Sequence, residues 1–332
     1  MSYDARPEFD LQELVNEYGL GRVRSVRKPQ GGAVNENWIV RTAKGTVVVR
    51  RVTKSRSLND ILFEHSFIRA LERAAFPYRL PKPLRTRAGR SVVAINGKYL
   101  WLYDYIEGSS SGPPRNIVVP QMAHALANAH KAARRFSLRR MNVPPHALEH
   151  PWLLHSLRRL QLEVADHQGA HHRFFRAHVQ ECIGILEQFR CTCYSALPRL
   201  PIHGDICRDN LIFSRRRLRG VIDFSHCCSD TAIRDVTIAL RHECTSESDR
   251  FSLDLNAARQ FLEVYHEINP LTREEIDLIP AIAVAELADL FRWRMVEIVT
   301  KRTAAASITE LEFEAMRWYN RHQKDIARAL RM

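Results

Sequence analysis

Ile202-His203-Gly204-Asp205-Ile206-Cys207-Arg208-Asp209-Asn210, followed by Val221-Ile222-Asp223-Phe224, is the stretch on which the reading of the chain turns. Asn210 stands five residues after Asp205, and Asp223 thirteen after Asn210. Phosphoryl transfer from ATP needs these residue types: one carboxylate to accept the proton of an attacking hydroxyl, and an amide with a second carboxylate to hold magnesium ions that bridge the phosphates. Leu211-Ile212-Phe213 reads as a short strand, Ser214–Arg219 as a basic turn and Gly220–Phe224 as the returning strand. That hairpin brings Asn210 and Asp223 near one another, with Asp205 in the loop just before it. Any one of these carboxylates alone reads equally well as a turn cap. All three types on one loop–strand–turn–strand frame read as a site.

The rest of the 332 residues is long enough for two domains. Hydrophobic content of 45% with 26% charged residues is that of a globular protein. No apolar run approaches the roughly 18–20 residues of a membrane span. Met1-Ser2-Tyr3-Asp4 has no basic-then-apolar signal pattern, so the expected location is cytoplasmic. Seven cysteines without a regular framework do not make a disulfide scaffold. The net charge is +13, and arginine clusters lie scattered along the chain, at Arg134-Arg135, Arg139-Arg140 and Arg215-Arg216-Arg217. Such clusters suit solvated turns and helix faces, or attraction of ATP or another anion.

Upstream, residues 8–19 read as a short amphipathic helix with Leu11, Leu14, Val15 and Tyr18 on one side. A strand around Val23 and Val26 leads into the turn-rich Gln30–Asn37, and Trp38-Ile39-Val40 and Thr46–Val49 form a hairpin across Ala43-Lys44-Gly45. Backbone amides exposed by Gly31 and Gly32 suit phosphate oxygens, although paired glycines between strands are also an ordinary turn. Ser55–Ala74 is a helix with Leu58, Ile61, Leu62, Ile68 and Leu71 on its apolar face. Glu64 lies at the edge of that face, where it either pairs with a cation on the preceding strand or faces solvent. Strands at Ser91–Ile95 and Lys98–Tyr103 are joined by Asn96-Gly97, a hairpin turn pair. The Ser/Gly/Pro-rich 109–114 places a domain boundary near Gly108.

Beyond it the pattern is helical. Pro120 marks the start of a helix through Ala133, with Met122, Leu126 and Ala129 on one face. His124 and His130 read as packing or surface histidines. His171-His172 and Cys191-Thr192-Cys193 have no second pair at metal spacing. Ile233–Leu240 starts another helix. From Ser252 onward the chain is helical by period, broken near Asn269-Pro270, with Ala281–Val299 read as amphipathic.

His203-Gly204-Asp205 with Asn210, then Ile222-Asp223-Phe224, then Asp235 opening a helix, resembles the aminoglycoside phosphotransferase and choline kinase-like superfamily. Leu126-Ala127-Asn128-Ala129-His130 resembles its helix before the catalytic core, and Tyr105-Ile106-Glu107-Gly108 its hinge. Gly31-Gly32 with Asn35 and Asn37 resembles the nucleotide loop of its homoserine kinase-like branch. The resemblance covers nearly the whole chain. It implies an α+β, two-lobed protein kinase-like fold: residues 1–108 a small antiparallel β lobe with one key helix that binds nucleotide, residues 109–332 a mostly helical catalytic and substrate lobe. It implies ATP and Mg2+ as cofactors. Asp205 would be the catalytic base, His203 and Asp235 its loop supports, and Asn210 and Asp223 the metal ligands. Gly31, Gly32, Asn35, Arg50, Glu64 and the backbone of Asp104, Tyr105 and Ile106 would bind nucleotide.

Where the family usually carries lysine, the register offers Arg50, with Arg51 next. Arginine binds phosphate bidentately and keeps its charge, but it is bulkier than lysine. The reading is an enzyme that phosphorylates a hydroxyl of a small molecule: an aminoglycoside or other antibiotic, homoserine, choline or an amino sugar. The alternative, motivated by Arg50, is a kinase-fold pseudoenzyme that binds nucleotide without turnover. A nucleic-acid partner rests on charge alone, with no recognition motif. Polycationic aminoglycosides need an acidic pocket, for which Glu243, Glu286, Asp289 and Glu297 are the candidates; the basic surplus favours an acceptor bearing a carboxylate or phosphate.

Overall fold

The computed structural model describes residues 7–29, 35–52, 56–136, 150–188, 194–300 and 310–331. Gly31, Gly32, Arg139-Arg140 and Cys191-Thr192-Cys193 lie outside them. The chain divides into two compact units. One comprises Met1–Gly112, Phe136–Pro144 and Asp209–Cys227; the other comprises Pro113–Arg135, Pro145–Arg208 and Cys228–Met332.

The first unit is built on an antiparallel sheet of β1 (Val23–Arg27), β2 (Glu36–Thr42), β3 (Gly45–Arg51), β4 (Val93–Ile95) and β5 (Lys98–Asp104), in the order β1-β2-β3-β5-β4. Asn96 and Gly97 have φ of 50° and 71°, the left-handed pair that a two-residue hairpin requires. Alternation along β3 sorts its side chains onto two faces. Val47 and Val49 join Trp38, Leu100 and Leu102 beneath α1 (Leu11–Glu17). Val48 joins Ile39, Trp101, Tyr103 and Ile61, the last from α2 (Leu58–Arg73). Arg50 falls on the α2 face and is 2% exposed, whereas Arg51 lies on the α1 face, over Trp38.

Ser57 caps α2 in a reciprocal box with Asp60. The face of α2 differs from the expected one. Leu58 and Leu62 are 40% and 39% exposed, while Phe63, Glu64, His65 and Phe67 are buried with Ile61, Ile68 and Leu71. The cause is a second packing partner: Phe67 meets Phe224 edge-to-face at 5.7 Å, so the buried arc is wider than one apolar stripe and rotated toward the phenylalanines. The hairpin of β7 (Leu211–Ser214) and β8 (Arg217–Val221) also belongs to this unit. It turns at Arg215-Arg216, both with positive φ, and β8 ends at Val221 rather than at Phe224. Gly108, at φ 144°, admits no side chain: a Cβ there would stand 2.4 Å from the Phe213 carbonyl oxygen.

His65 is fully buried, with Nδ1 3.0 Å from Ser91 Oγ and its ring edge-on to Trp101. Burial, reinforced by Arg69, Arg56 and Arg50, pushes its pKa from 6.5 down to about 3. The unfolded chain therefore takes up a proton below pH 6.5 that the folded one refuses. This contribution to stability is complete above pH 6.5 and is lost as pH falls, by up to about 1.4 kcal/mol per pH unit. Urea unfolding between pH 7 and 4 should show that slope in the wild type and its reduction in H65Q.

The second unit is mostly helical: α3 (Arg115–Ala133), α4 (His150–Glu163), α5 (Ala170–Glu187), α6 (Ala232–Glu243), α7 (Leu255–Ile268), α8 (Arg273–Val299), α9 (Glu310–Arg321) and α10 (Gln323–Leu330), with β6 (Arg199–Ile202) pairing antiparallel to β9 (Cys228–Thr231). α3 begins at Arg115, five residues before Pro120, which sits inside the helix. α8 is not amphipathic along Ala281–Val299 as expected. Ile279–Ala285, Leu287 and Ala288 are buried on every side, because α8 packs against α6, α9 and α10 at once. No helix among the described residues is long and apolar enough to cross a membrane.

Candidate active site

In the first unit, β3, α2 and the end of the β7–β8 hairpin bring four charged groups together. Arg50 Nη1 donates to Asp223 Oδ1 at 2.9 Å and lies 3.8 Å from Glu64. Its Nε donates to Asn37 Oδ1 at 3.1 Å, and its guanidinium lies over Trp101 and Tyr103 at 5.5 and 5.7 Å. Burial opposes the charge on Arg50, but Asp223 first, then Tyr103 and Glu64, push its pKa up. Glu64 is completely buried and accepts from Arg56 Nη1 at 2.7 Å. Spacing alone leaves a cation on the preceding strand and solvent open as its surroundings; the closest partner is Arg56, just before α2.

Asp223 adopts a left-handed conformation, φ 58° and ψ 67°, and its Oδ1 caps the following turn at Ser225. The Ile222 amide donates to the Asn210 carbonyl at 2.9 Å, closing the neck of the hairpin and setting Asn210 opposite the residue before Asp223. An amide oxygen and a carboxylate are hard oxygen donors, the set that magnesium takes when phosphates and water complete its octahedron. Among the described residues no group of three or more His, Cys, Asp and Glu could hold a metal ion. At the hinge, the Tyr105 amide is bonded to the Thr46 carbonyl at 3.0 Å. Ile106, 6% exposed, keeps an amide with no hydrogen bond among the described residues.

In the second unit, the loop carrying His203, Gly204 and Asp205 follows β6. Asp235, on the first turn of α6, is fully buried and accepts from the His203 amide at 2.6 Å and the Gly204 amide at 2.8 Å. His130 Nε2 completes its shell at 3.1 Å, and His130 Nδ1 meets the Tyr265 hydroxyl at 2.7 Å, which accepts from Asn269 Nδ2 at 2.6 Å. Burial raises the Asp235 pKa, but the bond and charge of His130, His203 and the Gly204 amide outweigh it and hold the carboxyl below its ordinary value. Gly204 takes φ 78°, and the Asp205 amide donates to His203 Nδ1 at 3.3 Å. Arg208 grips Glu243 through Nη2 at 2.9 Å and the Pro113 carbonyl through Nη1 at 2.9 Å. His130 is buried but not simply packing, since both its ring nitrogens are bonded, to Asp235 and Tyr265; Tyr265 and Asn269 carried no signal in the sequence.

The four acidic candidates for a cationic pocket are mostly spent. Glu243 is held by Arg208, Glu286 by Arg234 at 2.5 Å and Asp289 by Arg292 at 2.7 Å. Glu297 is buried at 2% exposure.

The model of the phosphotransferase enzyme family matches residues 25–271. The chain belongs to that family. This phosphotransferase is 28% identical over 291 residues to a homoserine kinase of Nitrobacter winogradskyi, covering 87% of this chain and 84% of the relative. It is 30% identical over 281 residues to a homoserine kinase of Afipia carboxidovorans, covering 82% and 79%. Among solved structures, an amicoumacin kinase in complex with AMP-PNP and Ca2+ superposes with a TM-score of 0.66 at 16% identity, over 96% of this chain and 94% of that one. A microcompartment-associated aminopropanol kinase gives 0.64 at 15% identity, over 96% and 95%. The phosphotransferase therefore has the kinase-like α+β fold and stands with the homoserine kinase-like branch. It is an enzyme, a small-molecule kinase with an alcohol group as acceptor.

Proposed function

We propose that this phosphotransferase moves the γ-phosphoryl group of ATP to the hydroxyl of a small amino alcohol, with homoserine the first candidate. Asp205 accepts the hydroxyl proton as the oxygen attacks phosphorus and ADP leaves. His203 and Asp235 hold the loop that carries it. Asn210 and Asp223 would hold Mg2+, which when bound offsets phosphate charge. Arg50 offers a permanent cation to the phosphate oxygens, Glu64 orients it, and Asn35 belongs to the segment, with Gly31 and Gly32, proposed to bind them. The Ile106 amide and the Asp104 carbonyl, on either side of Tyr105, receive the adenine edge. With charge and position supplied this way, little covalent chemistry is left to the protein.

The observation that carries the substrate reading is the pairing of Glu243, Glu286 and Asp289 with arginines. Carboxylates already held by arginines offer less to a polycation, although Glu286 shares Arg234 with Asp230 and Glu297 keeps one oxygen unbonded among the described residues, so a zwitterion fits better than an aminoglycoside. The homoserine kinases among the relatives support the same choice. In an assay coupled to ADP release, kcat/KM for homoserine should exceed that for any aminoglycoside by about a hundredfold or more. An aminoglycoside turned over faster than homoserine would refute the assignment.

A further inference from the structure

Arg50 faces two carboxylates but is hydrogen-bonded to only one of them. Its Nη1 lies 2.9 Å from Asp223 Oδ1 and 3.8 Å from Glu64 Oε1, an oxygen with no hydrogen bond among the described residues. A fully buried carboxylate needs a nearer cation, because its charge is otherwise left without water or partner. Arg56 supplies it: Nη1 donates to Glu64 Oε2 at 2.7 Å and Nη2 reaches the Asp60 carbonyl at 3.4 Å, on the first turn of α2. The Arg56 side chain is only 14% exposed, so this contact is part of the interior and not a surface pair. On its other edge Arg50 is fixed by Asn37, whose Nδ2 donates to the Asn35 carbonyl at 3.3 Å. The guanidinium is thus anchored through Nε, while its Nη edge is shared between two acids of unequal claim. Removing Arg56 would reverse that inequality, since Arg50 is the next cation to Glu64.

We propose that Arg56 is a positioning residue for Arg50: by occupying Glu64 it leaves the Arg50 guanidinium on Asp223, so that Arg50 competes with a metal for that carboxylate. The proposal rests on the functional reading above, in which Asp223 is a metal ligand and Arg50 a phosphate-binding cation. It makes Arg50 and Arg56 a pair with divided duties, one holding the helix carboxylate and the other free to exchange partners.

Binding of a fluorescent ATP analogue, titrated with magnesium, tests this without turnover. In R56Q the Glu64 charge draws Arg50 off Asp223, which produces two shifts of opposite sign. The magnesium concentration for half-maximal binding falls about tenfold, and the nucleotide Kd at saturating magnesium rises about tenfold. R56K, which keeps the cation, binds like the wild type. A purely structural role for Arg56 would instead weaken both affinities together. Parallel shifts, or no shift in folded R56Q, overturn the proposal. If R56Q does not fold, E64Q decides: it should raise the magnesium requirement, and a fall overturns the idea. Wild-type binding that ignores magnesium would sink the functional reading itself; magnesium-dependent wild-type binding without the opposed shifts sinks only the role of Arg56.

Discussion

Asp205→Asn should lower kcat for phosphoryl transfer by about 10³–10⁴-fold while leaving ATP-analogue binding and the unfolding free energy close to the wild type. The size follows from what a positioned general base contributes when it accepts a proton in the transition state. The substitution keeps the shape of a half-buried side chain and removes its capacity to take a proton, so stability has little reason to change. ADP release with homoserine as acceptor measures the effect. A D205N enzyme within tenfold of wild type would mean that Asp205 does not handle the hydroxyl proton.

Asp235→Ala should be the most destabilising single change around the His203–Asp205 loop. It deletes the acceptor for the His203 and Gly204 amides and for His130, all within a fully buried cluster. Charge-assisted bonds of this kind are strong, and orphaning buried donors costs more than the bonds themselves contribute. The expected loss is about 3–5 kcal/mol in urea unfolding, with kcat reduced because the loop amides no longer fix the position of Asp205. The pH dependence has a definite sign. The folded carboxyl lies below its ordinary value of 3.8, so its stabilisation is present above that value and is lost as pH falls through the folded pKa. D235A should therefore be closest to wild type at the acid end. Equal stability at pH 7 would contradict the bracing role.

What could be read in advance was local chemistry and short-range periodicity. Asp205, Asn210 and Asp223 stand close in the chain, and the hairpin between them has one plausible fold-back. Alternation along Thr46–Arg51 sent Arg50 and Arg51 to opposite faces without knowledge of either neighbour. The apolar face of α2 was misplaced because Phe63 and Phe67 have a partner, Phe224, far along the chain. Pro120, which reads as a helix start, is the sixth residue of α3, where the helix forgoes the bond its N–H would make to the Asn116 carbonyl. The support of Asp235 by His130, Tyr265 and Asn269 was invisible for the same reason as the Phe67 contact: the supporters come from α3, α7 and the C-cap of α7, far along the chain. Arg56 lies beside Ser57 and gave no sign of its target, since an arginine before a helix cap is usually solvated.

Transfer of label from γ-phosphate-labelled ATP to homoserine, with magnesium, in wild type and D205N side by side, decides whether phosphate passes to a small amino alcohol with Asp205 as base. Labelled phosphohomoserine is expected from the wild type and about a thousandfold less from D205N; equal label from both proteins would contradict the proposed role of Asp205.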